Sequence, residues 1–176
     1  MKTTVYIGTS LDGFIARADG DIDWLVQFGN AEALKAYEEF ISRIDAIVIG
    51  RGTYNKVLTF PTWPYEQKAY LLSNSIKQIP DNLNEKITLL SMNPKDLLNY
   101  LSENGLSNIY VDGGKVIQEF LREDLIDELI ISKVPVLLGS GIPLFGFHNA
   151  DLPFKHIQTQ IASNGLVRSY YERQRK

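Results

Sequence analysis

The chain has 176 residues, 44% of them hydrophobic, and 21 acidic against 18 basic side chains give a formal net charge of −3. A chain of this length buries enough surface to fold as one domain without a covalent staple, and having no cysteine it has no disulfide, thiolate metal site or cysteine nucleophile. Interspersed charge gives no broad field for nucleic acid despite a locally basic tail from Arg168, and no apolar stretch is long enough to cross a bilayer.

The chain opens directly in a strand pattern, Thr3-Thr4-Val5-Tyr6-Ile7-Gly8, with no signal-peptide pattern ahead of it. The expectation is a soluble cytoplasmic protein, with neither a nucleic-acid nor a membrane partner. A helix is predicted over about 31–43, with Asn30 as N-cap, Glu32 in the first turn and Leu34, Tyr37, Ile41 and Ile44 as its buried stripe. Apolar runs of strand length lie at 5–7, 46–49, 69–72, 87–90, 109–111 and 129–134, several apolar on both faces as sheets covered by helices require. Asn93, Pro94 and Gly105 bracket a helix that buries Leu97, Leu98 and Leu101, and a third begins at Gly113-Gly114 and buries Val116, Ile117, Phe120 and Leu121. Alternating strands and helices imply a mainly parallel sheet. At the C-terminus, 156–162 and 166–172 flank Ser163-Asn164-Gly165, a hairpin signal that predicts an antiparallel edge. No repeat or linker divides residues 1–176, so a single domain is expected.

Two strand–glycine–helix junctions carry the chemistry. Gly50-Arg51-Gly52-Thr53 follows an apolar run, and Asp112-Gly113-Gly114-Lys115 repeats the arrangement later in the chain. Arg51 offers a planar fork suited to phosphate, Thr53 adds a hydroxyl, and the second turn aims helix N–H groups at an anion with Lys115 nearby. This pairing points to a nucleotide cofactor, with NADPH favoured over NADH by Arg51. A surface arginine paired with a carboxylate, and a turn that merely needs positive φ, are the alternative readings; local sequence leaves both open. Val116 stands where a Walker loop needs a hydroxyl, so NTPase chemistry is not expected.

Asp19, Asp21 and Asp23 match the start of an EF-hand loop, but Trp24 occupies the turn-glycine position and Asn30 that of the bidentate glutamate. Gly139-Ser140-Gly141 begins like a dinucleotide fingerprint that Pro143 then breaks, so it reads as a loop. His148 and His156 are badly spaced for a HExxH-type site, and no metal is expected. Among carboxylates, Asp12 lies just past the first strand, on the side where open α/β sheets bind ligands, and is the candidate proton donor. An ordinary Asp-Gly turn is the alternative reading.

Together these segments resemble the dihydrofolate reductase superfamily, and more closely the reductase domain of riboflavin biosynthesis and its stand-alone relatives. The matching pieces are Ser10-Leu11-Asp12-Gly13-Phe14-Ile15-Ala16, Ile49-Gly50-Arg51-Gly52-Thr53-Tyr54, Leu72-Ser73-Asn74, Val111-Asp112-Gly113-Gly114 and the stretch from Leu125 to Phe145. The resemblance implies a three-layer α/β/α fold with a mostly parallel sheet and an antiparallel C-terminal hairpin. It also implies NADPH-dependent hydride transfer to a small heterocyclic or ribosyl-linked substrate, as in 5-amino-6-(5-phosphoribosylamino)uracil reductase. Gly50, Arg51, Thr53, Ser73 and Asn74 would lie by the adenosine phosphates and Gly113, Gly114, Lys115 and Val116 by the pyrophosphate and nicotinamide. The substrate would lie near Asp12, Trp24 and Trp63. A homodimer built partly from 135–145 is also implied. The chain departs from true dihydrofolate reductases in having Gly29 or Asn30 where these carry an acidic residue, and from the riboflavin branch in having Asp112 where glutamate is usual. Dihydrofolate reduction and a dimeric nucleotide-binding module without turnover are the alternatives.

Overall fold

Strands form where the apolar runs predict them, and the computed structural model describes residues 1–175. In chain order the elements are β1 Lys2–Thr9, β2 Phe14–Ala16, α1 Asp23–Val26, α2 Ala31–Ile41, β3 Ala46–Gly50, α3 Arg51–Val57, β4 Lys68–Leu72, β5 Ile87–Leu90, α4 Pro94–Glu103, β6 Asn108–Asp112, α5 Gly114–Arg122, β7 Glu128–Lys133, β8 Ile142–Pro143, β9 Phe154–Ile161 and β10 Val167–Arg173. Eight strands make one sheet in the order β5-β4-β3-β6-β1-β7-β10-β9. All its pairs are parallel except those of β10, which runs antiparallel to both β7 and β9.

Side-chain alternation on β3 shows how the layers are held. Ala46 and Val48 join Leu97 and Leu101 of α4 and Val116, Ile117, Phe120 and Leu121 of α5 in one core. Ile47 and Ile49 face the other way, with Phe40 of α2 and Tyr54 of α3. A strand buried on both sides must be apolar at every position, as Ala-Ile-Val-Ile-Gly is. The sheet therefore has an α5 face and an α2 face.

The helix boundaries have the expected chemistry. Asn30 Oδ1 accepts from Ala33 N at 2.8 Å and Asn93 Oδ1 from Asp96 N at 2.8 Å. Gly105 takes φ +79°, and Leu106 N donates to Leu101 O at 3.1 Å, closing a Schellman turn. Leu34 departs from its expected place and is 58% exposed. Phe40 takes the centre of the α2 stripe instead, stacked on Tyr6 at 4.6 Å and edge-on to Tyr110 at 5.1 Å, and at 100° per residue this turns Leu34 to solvent.

Three elements were not anticipated. A one-turn α1 lies inside the acidic loop, and β2 pairs with β8, so the stretch after Gly139-Ser140-Gly141 that reads as loop becomes a small second sheet. Among the described residues, no helix is long and apolar enough to cross a membrane.

Phe120 is fully buried between α5 and the sheet. Phe120→Ala should destabilise by ~3–5 kcal/mol, lowering the melting temperature by roughly 6–15 °C in calorimetry; a loss under ~1 kcal/mol would contradict this packing.

Candidate functional site

Because β3 and β6 are adjacent and parallel, their C-terminal ends emerge side by side and the two glycine junctions meet on one rim. The contact is close. A Cβ on Gly113, whose φ is +102°, would lie 2.2 Å from Thr53 Oγ1, and a Cβ on Gly50 would lie 2.7 Å from Val116 Cγ2. Gly114 is packed by Ile15 and Ile142, whose nearest atoms would be 3.1 and 3.2 Å from an added Cβ. Neighbouring protein thus occupies the space beside these glycines. Their lack of side chains brings Thr53 against the start of α5 and seats Val116 beneath Gly50.

Arg51 is exposed at the start of α3, and its Nη1 donates to Ser75 Oγ at 3.2 Å. Among the described residues it joins no ion pair, so the carboxylate-partner reading fails. Ser73 and Asn74 lie beside it after β4. Ser73 Oγ accepts from Ile76 N at 3.1 Å and organises its own turn, while Asn74 Oδ1 accepts from the Ser91 hydroxyl and ties that turn to the end of β5. Ser75 is the residue that reaches Arg51. It was legible only as part of the polar run that ends an apolar strand. Lys115 is exposed on the first turn of α5.

Asp112 ends β6 on the α2 face, and sequence reasoning placed it only in the glycine turn. The residue is half-buried, and desolvation of its carboxyl pushes its pKa up to about 6, against the partial relief of a hydrogen bond from Tyr65 Oη at 3.1 Å. Burial also raises Tyr65 and pushes Tyr37 up to about 12, with the Asp112 charge adding to both, so these hydroxyls stay protonated. Trp63 packs edge-on to Tyr65 at 5.4 Å and completes this wall. A tyrosine-lined carboxyl that exchanges a proton near neutral pH now stands beside the glycine rim.

Comparison with known proteins settles the lineage. The family profile of the RibD C-terminal domain matches residues 2–167. The chain belongs to that family. A Shewanella sp. PV-4 crystal structure, of a protein provisionally assigned to riboflavin biosynthesis, superposes with TM-score 0.94 at 38% identity and covers 99% of this chain and 100% of its own. YwjB of Bacillus subtilis strain 168, an uncharacterized protein, is 42% identical over 148 residues, 82% of each chain. The deaminase/5-amino-6-(5-phosphoribosylamino)uracil reductase of Thermotoga maritima shares the fold at 18% identity and TM-score 0.78, with 98% of this chain spanning 56% of that one. The expected α/β fold, a mostly parallel sheet with an antiparallel C-terminal pair, is that of this reductase-type family.

Within this RibD-type domain the remaining candidates separate. Asp12 Oδ1 accepts from Ser10 Oγ at 2.6 Å and Leu138 N at 3.2 Å, while Oδ2 accepts from Gly139 N at 2.7 Å. These bonds, the Ser10 hydroxyl first, hold its pKa below the ordinary carboxylate range. Asp12 is therefore ionised at neutral pH, and its carboxylate ties the loop after β1 to the 138–139 segment. Trp24 lies within α1, is 2% exposed and packs on Val134 and Leu166. Trp63 alone of these three stands beside Asp112. In the acidic loop, Asp21 pairs with Lys56 at 3.2 Å and Asp23 with Arg17 at 3.0 Å. No group of three potential metal ligands occurs among the described residues.

The sign of the Asp112 shift fixes a pH dependence. A carboxyl whose folded pKa is raised from 3.8 to about 6 binds its proton more tightly when folded. Its effect on stability is absent below about pH 4, grows as pH rises through about 6, and at higher pH costs ~1–3 kcal/mol. Asp112→Asn should raise the melting temperature by several degrees at pH 7.5 and leave it unchanged near pH 4, as thermal melts across that range will show; equal melting at pH 7.5 would contradict a desolvated carboxyl.

Proposed function

We propose that this chain is an NADPH-dependent reductase that delivers a hydride to a C=N or C=O group of a small heterocyclic or ribosyl-linked substrate. The observation that carries the reading is the meeting of the two glycine junctions on one rim, beside an arginine that has no acidic partner among the described residues. The residues fit the cofactor. Arg51 and Ser75 would hold the 2′-phosphate, with Thr53 beside them, and the first N–H groups of α5 face the pyrophosphate with Lys115 at their side. NADPH, when bound, supplies the hydride.

The protein's own contribution is position and one proton. Asp112, with its pKa about 6, carries its proton in about a tenth of molecules at pH 7, enough for a general acid that is recharged between turnovers. Tyr65 orients that carboxyl and Trp63 walls the space above it. Substrates of the aminouracil ribosyl phosphate class are the first choice, by analogy with the Thermotoga relative's activity.

A homodimer completes the proposal. The α5 face of β7 and β10 carries two adjoining depressions of about 450 and 700 Å³ that share Leu129, Phe145 and Phe154. Phe147 at their rim is 80% exposed, an apolar surface that a second copy would cover. Phe147→Asp should turn a dimer into a monomer in light scattering after size exclusion; a wild-type chain that runs as a monomer at micromolar concentration would contradict this part.

The activity test is loss of NADPH absorbance against a panel of aminouracil ribosyl phosphates, small pteridines and simple carbonyls. Turnover with one of them should fall about tenfold per pH unit above pH 6, and Asp112→Asn should abolish most of it while sparing cofactor affinity. Arg51→Ala should weaken NADPH by about 10- to 100-fold and NADH far less. Equal losses for the two nucleotides would contradict the 2′-phosphate role, and no oxidation of NADPH with any class would sink the reductase reading.

A further inference from the structure

The smaller of the two depressions on the α5 face holds about 450 Å³ and follows β7. Leu129, Ile131 and Lys133, alternate residues of that strand, line it in turn, with Phe145 and Phe154 as walls. Val167 and Ser169 of β10 lie beside them, level with Lys133 and Ile131. From Lys133 to Leu129 is four residues of strand, ~13 Å at the ordinary strand rise and roughly the span of an extended ten-carbon chain. The larger depression joins at Leu129 and Phe154, so Lys133 stands at the opposite end of this trough.

The polar groups of the trough are unequally provided for. Ser169 Oγ lies 2.9 Å from Thr159 Oγ1, which lies 2.7 Å from His156 Nε2, so the hydroxyls on the β9 side satisfy one another. On the β1 side Thr9 pairs in register with Lys133. Thr9 is 2% exposed and lines the trough, and its Oγ1 is buried with no hydrogen-bond partner. A donor in that state has lost water and gained nothing in return. Lys133 brings an exposed ammonium to the same level and joins none of the ion pairs among the described residues. One end of the trough thus offers an O–H and a positive charge, and the strand surface leading away from it is Ile131 and Leu129.

We infer that this trough binds an aliphatic carboxylate of medium chain length, its head held by the Lys133 ammonium and the Thr9 hydroxyl and its chain lying over Ile131 and Leu129 towards Phe154. Small-molecule sites are mostly apolar with a few convergent polar groups, which is the composition here. An anionic head accepts from both donors, whereas a cationic head is repelled by Lys133 and leaves the Thr9 hydroxyl unpaired. The site lies on the opposite sheet face from Asp112, so the inference neither uses nor needs the reductase reading. A second copy seated over Phe147 would approach the trough from its Leu129 end.

Calorimetric titration of the full chain at pH 7.5, without NADPH, tests this with decanoate, octanoate, 1-octanol and octyltrimethylammonium, each below its micelle concentration. Decanoate should bind best, octanoate about tenfold more weakly for the CH₂ groups it lacks, octanol more weakly than octanoate, and the cation not at all. Lys133→Gln should weaken decanoate by about 10-fold and leave octanol unchanged. Thr9→Val keeps the shape of the side chain and removes only the orphan hydroxyl, so decanoate affinity should fall several-fold with no loss of melting temperature. No decanoate binding at millimolar concentration, equal affinity for octanol and octanoate, or either variant binding decanoate as the parent does would overturn the inference. Binding seen only in the Phe147→Asp variant would overturn it as well, because a second copy would then be the occupant of the trough. A protein that ignores NADPH yet binds decanoate through Lys133 would sink the reductase reading and leave this site standing.

Discussion

The contact between Thr53 and Gly113 is the constraint from which the rest of the site follows. Two parallel strands deliver their C-terminal ends side by side, but only residues without a Cβ allow the following helices to start in contact. Gly113 adds a backbone conformation, φ +102°, that L side chains rarely adopt. Close approach fixes where Thr53 and the first N–H groups of α5 point relative to Arg51. The rim proposed to hold the cofactor is thus built by backbone packing, and its charged side chains are placed at the ends of rigid elements.

The α2 face is organised on a different principle, with buried charge kept at a cost in stability. Asp112 is held near its own proton exchange by desolvation, and Arg168, which among the described residues has no counter-ion, lies on the Tyr6 ring and donates to Ser132 Oγ. Neither arrangement helps the fold. The α5 face, by contrast, is a conventional apolar core with Leu97, Leu101, Ile117 and Phe120 almost wholly enclosed.

Much of this was legible in the sequence because the signals were local. Apolar runs gave the strands, Asn93 with Pro94 and Gly105 gave a whole helix with both ends, and Asn164-Gly165 gave the closing hairpin. The Gly-Arg-x-Thr and Asp-Gly-Gly junctions pointed to one rim because each follows a strand. What escaped depends on distance in the chain. Asp112 becomes interesting only through Tyr65, 47 residues away, and Arg168 only through Ser132, 36 residues away. The setting of Asp12 escaped for the same reason, since the N–H groups of Leu138 and Gly139 that hold it ionised lie far along the chain. Leu34 fitted the helical spacing, but the stacking of Phe40 on Tyr6 set the rotation of α2.

A crystal structure of the protein grown with NADPH tests the central claim most directly. The account predicts the nucleotide lying across the ends of β3 and β6, its 2′-phosphate within hydrogen-bond reach of Arg51 and Ser75 and its nicotinamide on the Asp112 side of the α5 N-terminus. A nucleotide bound away from the Thr53–Gly113 contact, or crystals from saturating NADPH with none at that rim, would contradict it.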